Sequence, residues 1–367
     1  MKDQAISWIA DRQEPLPPDD RRPWCTFNKA KALPVVILLA VRLMLLVICL
    51  GSLMTGQELQ ASFRVVGYLP DYRARKFDPD QAAFLTDLIL FAAEPTPDGG
   101  IDLGNLKNAP WESFETARSR HGVRLFLCLG GWGRSDHFSR AVLSPAARTR
   151  LVISIVNLLR QKRLDGLDLD WEHPKGAAEQ AAYAILLEEL KNAFRPHGLK
   201  LSLTIAPWKE IPSRGYAAAD WIQLMCYDYG QRHSTFEQAK KDVQTWIDKG
   251  IPPEKLVLGL PFYGRNIEDR KKAITYAEVQ RRYQTPPESD ETAGYFFNGP
   301  AMIRRKTRLA IENQIGGVMV WELGQDTRDD TSLLKAIQEE RSTPARTSPK
   351  WRAPIRQIPR RLPSSSK

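Results

Sequence analysis

Residues 164–174 constrain the fold and the chemistry of this chain more than any other stretch. They read LDGLDLDWEHP, so that Asp168, Asp170 and Glu172 alternate with three large apolar residues. Because successive side chains of a β-strand point to opposite faces, the three acids are predicted to share one face. Carboxyl groups held this close raise the pKa of at least one of them, and a general acid needs a raised pKa. The alternative, a solvated edge strand, is disfavoured by the apolar residues between the acids.

Eight short apolar runs are predicted to be β-strands. They lie at residues 63–68, 87–92, 124–129, 166–171, 201–206, 221–227, 255–261 and 317–321. Stretches with helical periodicity, such as 145–161 and 179–194, separate them. This alternation is typical of repeated βα units and predicts a parallel α/β fold. The 367 residues are enough for one barrel of about 250 residues with extensions at both ends.

Five sequence blocks together resemble glycoside hydrolase family 18, the family of the chitinases and their relatives. The stretch 164–174 resembles the signature of that family, and four other blocks support the match. These blocks are CLGGW at 128–132, MCYD at 225–228, GLPFYGR at 259–265 and GGVMVW at 316–321. The resemblance covers roughly residues 63–325. It implies a closed (β/α)8 TIM barrel whose active site lies at the carboxyl ends of the strands.

The resemblance implies roles for the acids and for one tyrosine. Glu172 would be the general acid and then the general base, while the acetamido oxygen of the substrate would replace an enzyme nucleophile. Asp170 would orient the acetamido N–H, and Asp168 would share charge or a proton with Asp170. The Tyr227 hydroxyl would contact the same acetamido group; a core tyrosine is the alternative. Asp165 would be a structural member of the acidic row.

The same blocks imply residues that contact sugar. The implied substrate-binding residues are Tyr68, Trp132, Met225, Asp228, Tyr263, Arg265 and Trp321. Trp132 would offer a stacking face, with a packing aromatic as the alternative, and Trp321 would form the floor under the reacting sugar. Gly130 and Gly131 would let the backbone approach the sugar closely. Cys128 stands where the family usually has serine, so a hydroxyl partner for the acidic row is missing.

Three features depart from the family pattern or add to it. Only 50 residues separate Arg265 from Gly316, so a full chitinase insertion domain is not expected. Phe91 falls one residue before the expected aromatic of the second strand and is left out of the site. Strand alternation predicts that His173 points away from Glu172, which makes it a supporting residue and not a catalytic one.

The two ends of the chain have compositions unlike that of the barrel. Residues 1–32 are polar, and residues 33–56 are apolar enough to be a signal or a membrane anchor, with translation from Met44 as an alternative start. Basic residues precede this segment, which predicts that the catalytic part is exported. Residues 341–367 carry eight Lys or Arg and no acid, and their many Pro and Ser residues predict a disordered tail.

Composition excludes some classes of function. The net charge is +10, but the basic tail supplies most of it, so the barrel at 62–340 is nearly neutral and no nucleic-acid partner is expected. The four cysteines show no metal or disulfide spacing, and Cys128 and Cys226 are predicted to be buried free thiols. We therefore expect a monomeric chitinase that needs no cofactor or metal and acts on chitin or a related N-acetylglucosamine polymer. The alternatives are an endo-β-N-acetylglucosaminidase, a peptidoglycan hydrolase and a non-catalytic chitin-binding lectin.

Overall fold

The structure is a computed structural model that describes residues 63–343. Its strands are β1 Arg64–Pro70, β2 Asp87–Pro95, β3 Ile101–Asp102, β4 Arg124–Gly130, β5 Gly166–Asp170, β6 Lys200–Ile205, β7 Trp221–Leu224, β8 Leu256–Pro261, β9 Tyr263–Asn266, β10 Ala273–Thr275, β11 Glu291–Thr292, β12 Tyr295–Phe296 and β13 Gly317–Trp321. Its α-helices are α1 Trp111–His121, α2 Phe138–Leu143, α3 Pro145–Gln161, α4 Gly176–Phe194, α5 Ser213–Ala218, α6 Phe236–Asp248, α7 Tyr276–Tyr283, α8 Pro300–Glu312 and α9 Leu333–Ser342.

Eight of the strands form a closed parallel barrel. Going around it, the order is β1, β2, β4, β5, β6, β7, β8 and β13. The barrel closes because β13 pairs with β1, where Gly67 lies opposite Val320. The predicted (β/α)8 barrel is therefore confirmed. Six of the eight predicted strands end within two residues of the observed strands, whereas β2 ends at Pro95, three residues late, and β7 ends at Leu224, three residues early.

Most of the barrel strands are apolar on both faces because both faces are buried, whereas β5, β6 and β7 carry polar side chains on their inward faces. Outward side chains such as Val65 and Leu167 pack with the helices, and inward side chains such as Val66 and Phe126 pack inside the barrel. Such strands read as nearly continuous apolar runs, which is typical of parallel sheets covered by helices. The carboxyl ends of all eight strands therefore open at one end of the barrel.

The helices cover the barrel with one apolar stripe each. In α3, Leu151, Ile155 and Leu159 recur every four residues and are all buried. This spacing places them on one helical face. The helix begins where the Ser144 side chain accepts a hydrogen bond from the Ala147 N–H, at 3.3 Å.

A small antiparallel sheet lies between the last two barrel strands. Strands β10, β9, β12 and β11 pair in that order, and each has two to four residues. Together with α7 they occupy the segment that was expected to be too short for a full insertion domain. The turn between β9 and β10 carries polar side chains back toward the mouth of the barrel.

The predicted segments 1–32 and 33–56, and the tail beyond residue 343, lie outside the described residues. Within residues 63–343, no helix has both the length and the apolar character needed to cross a membrane. The domain boundaries and the export of the catalytic part stay predictions. Cys128 and Cys226 are buried free thiols, as expected.

Candidate active site

A cavity of about 760 Å³ opens at the carboxyl ends of the barrel strands. Most of the residues singled out from the sequence line it. The lining residues are Tyr68, Trp132, Asp170, Glu172, His173, Thr204, Ala206, Trp208, Met225, Tyr227, Asp228, Tyr263, Arg265, Arg270, Lys271, Ala273, Trp321 and Gln325. The predicted substrate-binding residues are thus brought together on one surface.

The three acids of β5 and its end run from the barrel interior to the cavity. Asp168 has no exposed surface, Asp170 is 3% exposed, and the Glu172 side chain is 14% exposed. Asp170 and Glu172 line the cavity, whereas Asp168 lies beneath it. Of the three acids, Glu172 is therefore the most accessible from the cavity.

Four donors surround the buried carboxylate of Asp168. The Tyr68 hydroxyl donates at 2.6 Å, Ser202 at 2.6 Å, Thr204 at 3.0 Å and the Gln223 amide at 2.9 Å. Burial raises the pKa of Asp168, and these four hydrogen bonds oppose that rise. Cys128 has no hydroxyl, and the hydroxyl donors to Asp168 come instead from β1 and β6.

Ser202, Thr204 and Gln223 are site residues that the sequence interpretation missed. Ser202 and Thr204 alternate with leucines in β6, and Gln223 interrupts the apolar run of β7. A polar residue at an inward position of a buried barrel strand needs a partner. That signal could have identified these residues as the surroundings of the acidic row.

One carboxylate oxygen of Asp170 is buried without a hydrogen-bond donor. Its Oδ1 atom is buried and accepts no hydrogen bond from any described residue. Burial and the negative charges of Glu172 and Asp168 raise the pKa of Asp170 well above its usual value. A buried acceptor without a donor is rare and destabilising, so it marks a place where a ligand can donate.

A backbone hydrogen bond to Ser135 fixes Glu172 at the edge of the cavity. The Glu172 N–H donates to the Ser135 hydroxyl at 3.1 Å, and that hydroxyl donates to the Gly131 carbonyl at 3.0 Å. Burial and the charge of Asp228 raise the pKa of Glu172 to about 7, against a hydrogen bond from the Trp132 backbone. A carboxyl group with this pKa can both donate and accept a proton near neutral pH.

The prediction that His173 points away from Glu172 is wrong. His173 lines the cavity, and its Nε2 lies 3.8 Å from Glu172 Oε2. Strand β5 ends at Asp170, so the alternation of side chains does not extend to residue 173. Burial and the positive charge of Lys209 lower the pKa of His173.

Tyr227 presents a hydroxyl with almost no partner inside the protein. The nearest acceptor is the Met319 sulfur at 3.9 Å, which is a weak one. Burial raises the pKa of Tyr227 well above its usual value, so the hydroxyl keeps its proton. It is therefore a donor available to a ligand. Met225 lines the cavity beside it, whereas Cys226 is buried behind, as the alternation predicted.

Asp228 and Arg265 form an ion pair at the cavity wall. The Arg265 guanidinium contacts both carboxylate oxygens of Asp228, with Nη2 at 2.8 Å from Oδ2. Burial raises the pKa of Asp228, but the hydrogen bonds and the charge of Arg265 outweigh it and hold the pKa below its usual range. His233 Nδ1 lies 3.6 Å from Asp228 Oδ1. His233 is another residue that the sequence interpretation missed, and its ring lies 5.0 Å from that of Tyr263.

Aromatic rings form the floor and the rim of the cavity. The Trp321 ring packs against Tyr68 at 5.4 Å and against Phe91 at 4.7 Å, so it is fixed from below. At the rim, Trp132 is 79% exposed and Trp208 is 50% exposed. Large exposed indole faces of this kind are suited to stacking on sugar rings.

Three residues were predicted to have structural roles, namely Gly130, Gly131 and Asp165. Gly130 and Gly131 both have φ near +100°, and a side chain at these positions would overlap the Asp170 carbonyl and the Phe91 ring. The space that a side chain would need at these positions is thus taken by other atoms of the protein, and the close approach of this backbone to a sugar stays a prediction. Asp165 lies at the opposite end of β5, outside the acidic row, where it accepts hydrogen bonds from Arg118 and the Leu125 N–H.

The closed barrel and the row of buried carboxyl groups are those of a chitinase-like glycoside hydrolase. The chain belongs to glycosyl hydrolases family 18, whose family model matches residues 64–326. Among similar proteins is one described as probable chitinase 10 of Drosophila melanogaster, 29% identical over 282 residues. That match takes in 58% of this chain but only 12% of the length of the Drosophila protein.

Solved structures of chitinases share the fold. A family 18 chitinase of Flavobacterium johnsoniae superimposes with a TM-score of 0.69 at 27% identity, covering 76% of this chain and 94% of that one. A mutant of catalytic domain 2 of a group II chitinase from Ostrinia furnacalis, in complex with penta-N-acetylchitooctaose, gives a TM-score of 0.65 at 25% identity. That match covers 76% of this chain and 96% of the other.

Proposed function

We propose that this protein hydrolyses β-1,4 linkages after N-acetylglucosamine in chitin or a related polymer, by retaining, substrate-assisted catalysis. Glu172 first protonates the oxygen of the leaving sugar, and the acetamido oxygen of the neighbouring sugar attacks the anomeric carbon. Glu172 then takes a proton from water, which opens the cyclic intermediate and preserves the anomeric configuration.

The observation that carries the proposal is a matched pair of unused polar atoms in the cavity wall. Asp170 Oδ1 has no donor among the described residues, and the Tyr227 hydroxyl has only a sulfur acceptor. An acetamido group has one N–H and one carbonyl oxygen, so it can satisfy both atoms at once. This pairing would hold the acetamido oxygen under the anomeric carbon.

Positioning the acetamido group replaces the nucleophile that other retaining glycosidases supply. A well-oriented intramolecular attack can contribute about 7–11 kcal/mol toward the barrier. The buried charge of Asp168, stabilised by its four donors, favours keeping a proton on Asp170. Asp170 can then share that proton as charge develops on the acetamido group.

Two further features support an N-acetylglucosamine polymer as the substrate. The related Ostrinia furnacalis domain was crystallised with a chitin-type oligosaccharide. Trp321 provides an apolar floor within the cavity, and Trp132 an exposed face at its rim.

A non-catalytic lectin on this fold is the less favoured alternative, because burial and the charge of Asp228 give Glu172 the raised pKa that a general acid needs. Export through residues 33–56 is also part of the proposal.

Partly deacetylated chitosan tests the mechanism directly. If the acetamido group is the nucleophile, the sugar on the non-reducing side of each cut must be N-acetylated. We expect the new reducing ends to be N-acetylglucosamine, as measured by end labelling and mass spectrometry. Glucosamine at these ends in comparable amounts would contradict the roles of Asp170 and Tyr227. Fully acetylated oligomers serve as the control for activity.

A further inference from the structure

The cavity has few uncompensated negative charges at neutral pH, although three acids line it. Burial and the charges of Glu172 and Asp168 raise the pKa of Asp170 well above its usual value, which disfavours its ionised form. The pKa of Glu172 is about 7, so it is ionised in only part of the molecules. Asp228 is ionised, but the Arg265 guanidinium neutralises it. The cavity wall therefore offers little repulsion to an anion.

Two exposed cations face this cavity from the turn between β9 and β10. Arg270 and Lys271 both line the cavity. Within residues 63–343, neither makes an ion pair with an acidic side chain. The next residue differs, since Lys272 lies 3.5 Å from Asp269 and does not line the cavity. The charges of Arg270 and Lys271 are thus available to something that enters the cavity.

Arg270 is also held in place before any ligand arrives. Its Nη2 donates to the Asp228 carbonyl at 2.8 Å, and its own carbonyl accepts from Arg265 Nη1 at 3.0 Å. A guanidinium has five N–H donors in a fixed plane, so most of them stay free. Holding an arginine in this way lowers the entropy lost when it binds an anion.

We propose that Arg270 and Lys271 form a subsite for an anionic substituent, a carboxylate or a phosphate, carried by a sugar of the polymer. The protein would then prefer an acidic N-acetylglucosamine polymer to a neutral one. This inference rests on the proposed function, because it assumes that a glycan strand occupies the cavity. A structural role for Arg270, holding Asp228, is the competing explanation.

The test compares two soluble polymers with the same backbone, carboxymethyl chitin and uncharged glycol chitin. We measure kcat/KM on both polymers at pH 7 and low salt and divide the value for carboxymethyl chitin by the value for glycol chitin. Removing one exposed charge changes binding by about two- to fivefold, so Lys271→Gln should lower this ratio by that factor. Lys271→Glu should lower it further. Lys272→Gln, which alters the paired neighbour outside the cavity, should leave the ratio unchanged.

The ratio separates charge recognition from structural damage. Misfolding, or a displacement of Asp228, would slow the hydrolysis of both polymers to the same extent. An unchanged ratio in both Lys271 variants would overturn the subsite. Raising the salt concentration should reduce the ratio of the wild-type protein toward that of Lys271→Gln, because the Debye length falls to about 10 Å at 0.1 M. Phosphorylated chitin in a third arm shows whether carboxylate or phosphate is bound more tightly.

Binding measurements keep this test independent of turnover. Glu172→Gln is combined with each Lys271 variant, and retention is measured by electrophoresis in gels that contain each polymer. Preferential retention by carboxymethyl chitin that is lost in Lys271→Glu would support the subsite even if the wild-type protein hydrolysed neither polymer. If carboxymethyl chitin retained all the variants equally, the subsite would be overturned. The proposed function would then still be decided by the chitosan experiment.

Discussion

Glu172 carries the proton transfers of the proposed reaction, and replacing it tests that role. Glu172→Gln keeps the shape and the hydrogen-bonding capacity of the side chain but cannot transfer a proton. We expect kcat to fall by at least about 10²-fold, which is the usual contribution of a positioned acid. Glu237→Gln, a change at an exposed helical position, is the matched control. Near-normal turnover in Glu172→Gln would contradict the assignment.

The pH dependence of the wild-type enzyme follows from the same residue. Since burial and the charge of Asp228 raise the pKa of Glu172 to about 7, the acid form predominates below that pH. We therefore expect kcat/KM to decline above about pH 7, and a decline that begins only above pH 9 would assign the acid to another group.

The raised pKa of Glu172 also predicts an effect on stability. Below the ordinary carboxyl pKa of about 4.5 the group is protonated in both the folded and the unfolded state, so it has no effect. Above about pH 7 it is ionised in both states, and the folded state bears the cost of burying the charge. Glu172→Gln should therefore increase the free energy of unfolding by on the order of 2 kcal/mol at pH 8 and not at pH 4.

Thermal or urea unfolding at the two pH values measures this difference. The Glu237→Gln control should show no such dependence, because that side chain is exposed. An equal gain at pH 4 and pH 8 would mean that packing, and not the buried charge, separates the variant from the wild type.

At the residue scale, the sequence was sufficient to predict that the three acids lie together, but it was insufficient to identify the residues around them. Strand alternation placed Asp168, Asp170 and Glu172 together because a two-residue period is a property of the local backbone. It failed at His173, where the strand has already ended. The donors to Asp168 come from other strands, and their proximity depends on tertiary pairing that a local pattern does not contain.

Strand β6 contributes to the site through its inward hydroxyl groups, which the sequence interpretation did not include. Ser202 is fully buried and donates to Asp168 at 2.6 Å. Ser202→Ala removes one of four donors, which weakens the stabilisation of the Asp168 charge, and that charge is one cause of the raised pKa of Asp170. Hydrogen bonds to charged groups contribute about 1.5–3 kcal/mol, so we expect kcat to fall by roughly tenfold.

Cys128→Ala is the control for the Ser202 variant, since both changes remove a small buried group beside Asp168. The thiol is a weak donor, so we expect little change in kcat from its removal. Equal losses in the two variants would indicate that packing around Asp168, and not hydrogen bonding, controls the rate.

At the scale of elements, the length of a strand decided how well it could be predicted. The barrel strands were found because their buried runs of four to nine residues are mostly apolar. The strands of the small sheet have only two to four residues, and β11 is partly exposed. Such segments show no periodicity, so their pairing could not be predicted.

At the scale of the whole molecule, the small sheet borders the cavity through Tyr263, Arg265 and Ala273. The segment between Arg265 and Gly316 adds only short strands and helices α7 and α8 to that side of the barrel. Trp132 and Trp208 follow β4 and β6, the two neighbours of β5, and both expose large ring faces. The strand that carries the acids is thus flanked by open aromatic surfaces.

This arrangement predicts that the enzyme cuts in the middle of a chain. A groove without a high wall can accept a polymer at any point, so soluble glycol chitin should lose viscosity before many reducing ends have formed. Trp132→Ala should slow this loss, because the exposed indole is a stacking face in the cavity, whereas Tyr72→Ala changes an exposed ring that does not line it. Release of disaccharide with unchanged viscosity would instead show that the cavity accepts only chain ends.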